Sequence, residues 1–134
     1  MPRIIGIDHG EKNIGVAITD ELKIIVKPLK TIENKSKNYI LSQLKEICHE
    51  EDVEKIVIGF PVMLSGEEGI QVEKVNKFGE ILKNKLKIPV EFEDERLSSV
   101  EAEKLLKENK EFKKIDRDQL AAYYILKAYV DKNY

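Results

Sequence analysis

Ile4-Ile5-Gly6-Ile7-Asp8-His9-Gly10-Glu11-Lys12-Asn13-Ile14-Gly15-Val16-Ala17-Ile18-Thr19 is the stretch that decides the fold. Two short apolar runs, Ile4 to Ile7 and Ile14 to Thr19, flank a polar segment rich in turn residues, His9 to Asn13. That is the pattern of two strands joined by a hairpin, both buried. A third, more polar strand is expected over Ile24 to Leu29, which completes a three-stranded antiparallel meander. Further on, Tyr39, Ile40, Leu44, Ile47 and Cys48 recur at helical spacing. Ile56-Val57-Ile58-Gly59-Phe60 reads as a buried strand that stops at Pro61, and Pro61 to Gly69 as a loop. Val75, Phe78, Leu82 and Leu86 mark a second helix, and Val90-Glu91-Phe92 a fifth strand. Ser98 with Glu101 three residues on forms a capping box that starts another helix, and a last helix runs from about Arg117 to Val130. A meander followed by alternating helices and strands predicts an α/β chain. Its mixed sheet holds three antiparallel and two parallel strands, with helices on both faces.

The 134 residues make one domain with a single core, residues 1–134, and leave no room for two lobes closing on a nucleotide. No apolar run is long enough to span a bilayer, and the first residues lack a signal-peptide pattern. Cys48 is the sole cysteine, which excludes an internal disulfide and a cysteine-built zinc site. A cytoplasmic setting is therefore expected. The net charge of −2 excludes a protein that coats nucleic acid by charge alone, but not an enzyme whose catalytic acids lower the balance.

Function in such sheets collects at the carboxyl ends of parallel strands. Asp8 follows the first strand there, and Asp94-Glu95 follows the fifth. An Asx-type turn competes for Asp8, and a cap or surface ion pair competes for Asp94, Glu95 and Arg96. Asp118 lies in the first turn of the last helix, in phase with Ala122, Ile125 and Tyr129, so its face points inward. Asp116, with Gln119 three residues later, fits the N-cap instead. Three converging carboxylates are hard oxygen donors suited to Mg²⁺ or Mn²⁺, which can activate water and stabilise the leaving oxygen of a phosphodiester. Without metal, their mutual repulsion should raise at least one pKa. His9 reads as a turn residue and His49 as a solvated helix residue.

Four motifs in order carry a resemblance over nearly the whole chain. They are Ile5 to Ala17 around Asp8; Ile58-Gly59-Phe60-Pro61 through Gly69; Asp94-Glu95-Arg96-Leu97-Ser98-Ser99-Val100-Glu101-Ala102; and Asp118 in the last helix. In these the chain closely resembles the YqgF/RuvX family of pre-16S rRNA nucleases, also described as Holliday-junction-resolvase-like. The resemblance implies an RNase H-like fold and metal-dependent cleavage of phosphodiesters in structured nucleic acid, in the processing of pre-16S rRNA ends. Its acids map onto Asp8, Glu95 and Asp118, with Asp94 and Asp116 as second choices. Lys114-Ile115-Asp116 matches the family's lead into the last helix, whereas the helix body aligns Asp118. Lys12, Arg96, Lys113, Lys114 and Arg117 are candidate phosphate contacts. Charge balance or a solvated face competes for each.

Cleavage of branched DNA stays open within the same chemistry. A non-catalytic transcription or ribosome-assembly factor stays open outside it. An ATP-binding protein of the actin, Hsp70 or sugar-kinase type shares an acid after the first strand, but the length and the lack of a second glycine-rich loop count against it. The expected partners are nucleic acid and no membrane, for a monomer or a homodimer.

Overall fold

A computed structural model describes residues 2–60, 69–94 and 116–134. Its elements are β1 (Arg3–His9), β2 (Asn13–Thr19), β3 (Val26–Glu33), α1 (Lys37–Glu50), β4 (Val53–Phe60), α2 (Gly69–Leu86), β5 (Val90–Asp94) and α3 (Arg117–Asn133). The five strands form one sheet in the order β3-β2-β1-β4-β5. β1, β2 and β3 pair antiparallel, while β4 joins β1 and β5 joins β4 in parallel, as the sequence predicts. The capping box at Ser98 and the segment before Gly69 lie outside the described residues.

Strands β1, β2 and β4 read as unbroken apolar runs because both faces of the sheet are covered. Ile5, Ile7, Ile14, Val16, Ile56 and Ile58 pack on one face against Ile40, Leu44 and Ile47 of α1 and Val75 and Leu82 of α2. Ile4, Ala17 and Val57 pack on the other face against Ala122, Ile125, Leu126 and Tyr129 of α3. Helix α1 is capped by Ser36, whose side chain accepts from the Tyr39 N–H. Cys48 is buried in the first of these cores, and burial pushes its thiol up to about 11, so it is a packing residue.

The third strand departs from expectation: it spans Val26–Glu33, not Ile24 to Leu29. Asp20 explains the shift. Its carboxylate accepts from the backbone N–H of Ile24 at 2.8 Å and of Ile25 at 3.0 Å, which holds both residues in the hairpin turn. Their side chains are 66% and 62% exposed. Pro28 is tolerated because β3 is an edge strand and the register shifts beside its partner Ala17.

Candidate active site

Side-chain alternation along β1 assigns Asp8 to the α3 face and His9 to the face of α1 and α2. Gly6, two residues before Asp8, lies directly under α3: a Cβ there would come within 2.6 Å of Leu126 Cβ. The cross-strand partner of Asp8 is Gly15. The first turn of α3 sits on that glycine, with the Asp118 carbonyl oxygen 1.8 Å from where a Cβ would stand. A glycine inside a strand is the usual sign of such a close backbone approach. The two strand glycines thus form a track that seats α3 and brings its first turn to the corner where Asp8 stands.

The start of α3 is fixed from two sides. Asp116 is its N-cap and accepts from the Gln119 N–H at 2.8 Å, as the spacing predicts. The other oxygen of Asp116 takes a hydrogen bond from the Thr31 hydroxyl on β3. Two residues on, Asp118 shares a face with the buried Ala122, Ile125 and Tyr129. Burial raises the pKa of the half-buried Asp118, and the charge of Asp116 adds to the rise. A hydrogen bond from the Asn13 side chain and the charge of Arg117 pull it back. The direction is the one expected, but the causes are burial and the cap residue. Asn13, Gly15 and Thr31 are the parts of this corner that sequence reasoning did not single out. A glycine within an apolar strand was the available signal for Gly15. Nothing local marks Asn13 or Thr31.

The acids of β5 divide between the two faces. Glu91 accepts from the Tyr129 hydroxyl and pairs with Lys55 at 3.1 Å, which together hold its carboxyl below the usual range. Glu93 is 7% exposed and takes the Lys132 ammonium at 2.5 Å. Both stand on the α3 face and are already paired. Asp94 falls in alternation with Val90 and Phe92, on the side where Phe92 meets Phe60 and Gly79. Among the described residues no three His, Cys, Asp or Glu side chains form a metal-holding group. Glu95, Arg96, Lys113 and Lys114 lie outside the described residues. Lys12 and Arg117 are exposed, the first in the β1–β2 turn and the second at the head of α3.

His9 is not the turn residue expected from sequence. It ends β1 and packs against Phe78 of α2, with ring centroids 4.4 Å apart and the planes tilted by 37°. Burial lowers its pKa, and the charge of Lys74 lowers it further. His49 is exposed in the last turn of α1, as expected. No described helix is long and apolar enough to cross a membrane.

The family model described as "RuvX: Holliday junction resolvase" matches residues 2–132. A protein of Dictyoglomus thermophilum named "Putative pre-16S rRNA nuclease" is 38% identical over 98% of this chain and 96% of its own. One of the same name from Clostridioides difficile is 44% identical over 96% of this chain and 94% of its own. Among solved structures, Thermus thermophilus RuvC in complex with a Holliday junction substrate superposes with a TM-score of 0.61 at 15% identity, covering 98% of this chain and 96% of that one. The fowlpox virus resolvase bound to Holliday junction DNA gives 0.58 at 14% identity, covering 97% of each chain. These two establish the RNase H-like architecture.

Proposed function

The chain belongs to the RuvX family and is a nuclease, a hydrolase of phosphodiester bonds; we propose that it cuts structured RNA at the ends of pre-16S rRNA in the cytoplasm, using Mg²⁺ or Mn²⁺ held by Asp8, Glu95 and Asp118. One observation carries this reading. The first turn of α3 rests on Gly15, the strand partner of Asp8, which brings the backbone of Asp118 to the corner of the sheet that Asp8 occupies.

The donor set fits a hard divalent cation. The corner offers carboxylates and the Asn13 amide, and neither cysteine nor imidazole enters it. A carboxylate whose ionised form is disfavoured by burial gains most from a cation at its side. When bound, the metal activates water and neutralises charge on the scissile phosphate. The chain's own residues set the stage. Asn13 orients the Asp118 carboxylate through its hydrogen bond. Both carboxylate oxygens of Asp116 are already engaged, by the Gln119 N–H and the Thr31 hydroxyl, which favours Asp118 as the ligand. The alternation of β5 sets Asp94 on the α2 side, which favours Glu95 over it. Lys12, in the β1–β2 turn, and Arg117, at the head of α3, are the described cations that would contact the phosphates of the substrate, and Arg96, Lys113 and Lys114 are the remaining candidates from the sequence.

The test is cleavage of a pre-rRNA fragment spanning a 16S end, with Mg²⁺ and with EDTA, by the wild type and by Asp8→Asn. Metal-dependent cleavage that the variant lacks is the expected result. Faster cleavage of a four-way DNA junction than of the RNA would transfer the reading to branched DNA. Cleavage of neither would leave an assembly factor.

A further inference from the structure

On the far side of the sheet from Asp8, the end of β1 opens into a cavity of about 230 Å³ between α1 and α2. Its floor is apolar and aromatic: Ile40, Leu41 and Ile81, with the tilted ring pair His9 and Phe78. Its rim carries Lys37 from α1 and Lys74 and Lys77 from α2, all exposed, with Asn34 closing one side. Asn34 is held in place by donating to the Gly10 carbonyl at 3.0 Å. No acid lines the cavity among the described residues, and none of its three lysines has an ion-pair partner there. An aromatic floor beneath three lysines that have no ion-pair partner among the described residues matches a flat ring that carries a phosphate, which is the chemistry of an unpaired nucleotide.

We propose that this cavity receives one unpaired base of the nucleic-acid strand that runs from the Asp8 corner, with Lys37, Lys74 and Lys77 on the phosphates beside it. The inference rests on the nuclease reading above and adds a second contact to it. Size selects the occupant. The volume is below the roughly 300–1,000 Å³ of pockets that enclose a drug-sized ligand, so it takes a base while sugar and phosphates stay at the rim. A base within a duplex is stacked on both sides and cannot enter a recess between two helices. Position selects the strand. Asp8 and His9 are consecutive, on opposite faces at one end of the sheet. A single strand leaving the corner reaches the cavity by rounding the turn that carries Lys12. The nuclease thereby distinguishes a substrate with a single-stranded flank from a blunt duplex.

The test pairs Phe78→Leu, which keeps an apolar filler but removes the flat ring, with the surface double variant Lys74→Glu/Lys77→Glu. Anisotropy of a fluorescein-labelled ten-nucleotide single-stranded RNA in EDTA reads binding. Removing one base–aromatic stack should weaken it by about 5- to 150-fold. The double variant should also flatten the salt dependence by about 0.7 in log–log slope per lost phosphate contact. A blunt duplex should bind all three proteins alike. In cleavage, a substrate with a single-stranded flank should show a raised KM and an unchanged kcat, whereas a flankless one should show neither change. Equal binding of the single strand by wild type and both variants would overturn the cavity, even if Asp8→Asn still abolishes cleavage. Weakened binding in the variants would sustain it, even if the wild type cuts nothing and the nuclease reading falls. Displacement of the RNA by polyglutamate as readily as by unlabelled RNA would overturn base recognition. Saturation by AMP with no binding of the oligonucleotide would overturn the strand.

Discussion

Gly15→Ala tests the geometry of the corner without substituting an acid. The added methyl would stand 1.8 Å from the Asp118 carbonyl oxygen, 2.3 Å from its carbonyl carbon and 2.9 Å from the Gln119 nitrogen. All three are helix backbone, so no side chain can swing aside. Ordinary Cβ contacts begin at 3.4 Å, so the head of α3 must retreat by about 1.6 Å. Overpacking of this kind costs about 1–3 kcal/mol. At this chain length that is a drop in Tm of roughly 4–12 °C. The larger effect falls on catalysis. The retreat carries Asp118 away from Asp8, and a misplacement of about 1 Å costs on the order of a hundredfold in rate. Single-turnover cleavage at saturating Mg²⁺, measured well below both melting temperatures, separates the two effects. Gly79→Ala is the matched control. Its methyl meets the tip of the Phe92 side chain at 2.7 Å, in a residue that is 39% exposed, and Ile58 only at 3.5 Å, with no backbone atom in the way. It should cost some stability and no rate. If Gly15→Ala cleaves within twofold of wild type, or loses no more rate than Gly79→Ala, the seating of α3 does not set the site.

Asp116→Ala should lower stability by about 1 kcal/mol through the lost cap, and more if the Thr31 link counts, while Asp116→Asn, which still caps, should keep turnover. Loss of cleavage in Asp116→Asn with activity retained in Asp118→Asn would exchange the two roles. Asp118→Asn should abolish cleavage yet raise the Tm of the metal-free protein at neutral pH. The folded state raises this carboxyl's pKa, so the folded chain binds its proton first and wild-type stability climbs as pH falls through that folded value. The advantage of the variant should therefore shrink in mild acid, and a constant advantage at every pH would refute the burial argument. Glu91 runs the other way. Tyr129 and Lys55 depress its pKa, so its contribution is complete above the usual carboxylate range and fades as pH drops through the lowered value. Glu91→Gln should lower Tm at pH 7 and lessen its fall in acid, as thermal melts between pH 3 and 7 would read. Added Mg²⁺ should raise the Tm of wild type more than that of Asp8→Asn, by preferential binding to the folded state.

What the sequence made legible was whatever depends on local period. The apolar runs of β1, β2 and β4 and the phase of Asp118 with Ala122, Ile125 and Tyr129 all follow from side-chain repeats. The spacing of Asp116 and Gln119 separates cap from inward acid for the same reason. The start of β3 was not legible, because Asp20 captures two backbone N–H groups and turns an apolar pair outward against its pattern. His9 was misread because a histidine before a glycine resembles a turn, whereas pairing with Ile14 extends the strand through it. The Thr31–Asp116 and Glu93–Lys132 links join residues far apart in sequence, and only the assembled sheet and helix bring them together.

The seat of α3 on Gly6 and Gly15 also has a kinetic side. One helix supplies both the cover for the Ile4, Ala17 and Val57 face and the acid at its head. A fluctuation that lifts this helix while the five strands stay paired removes Asp118 from Asp8 before the domain as a whole unfolds. Heating should accordingly silence cleavage below the temperature at which the sheet melts.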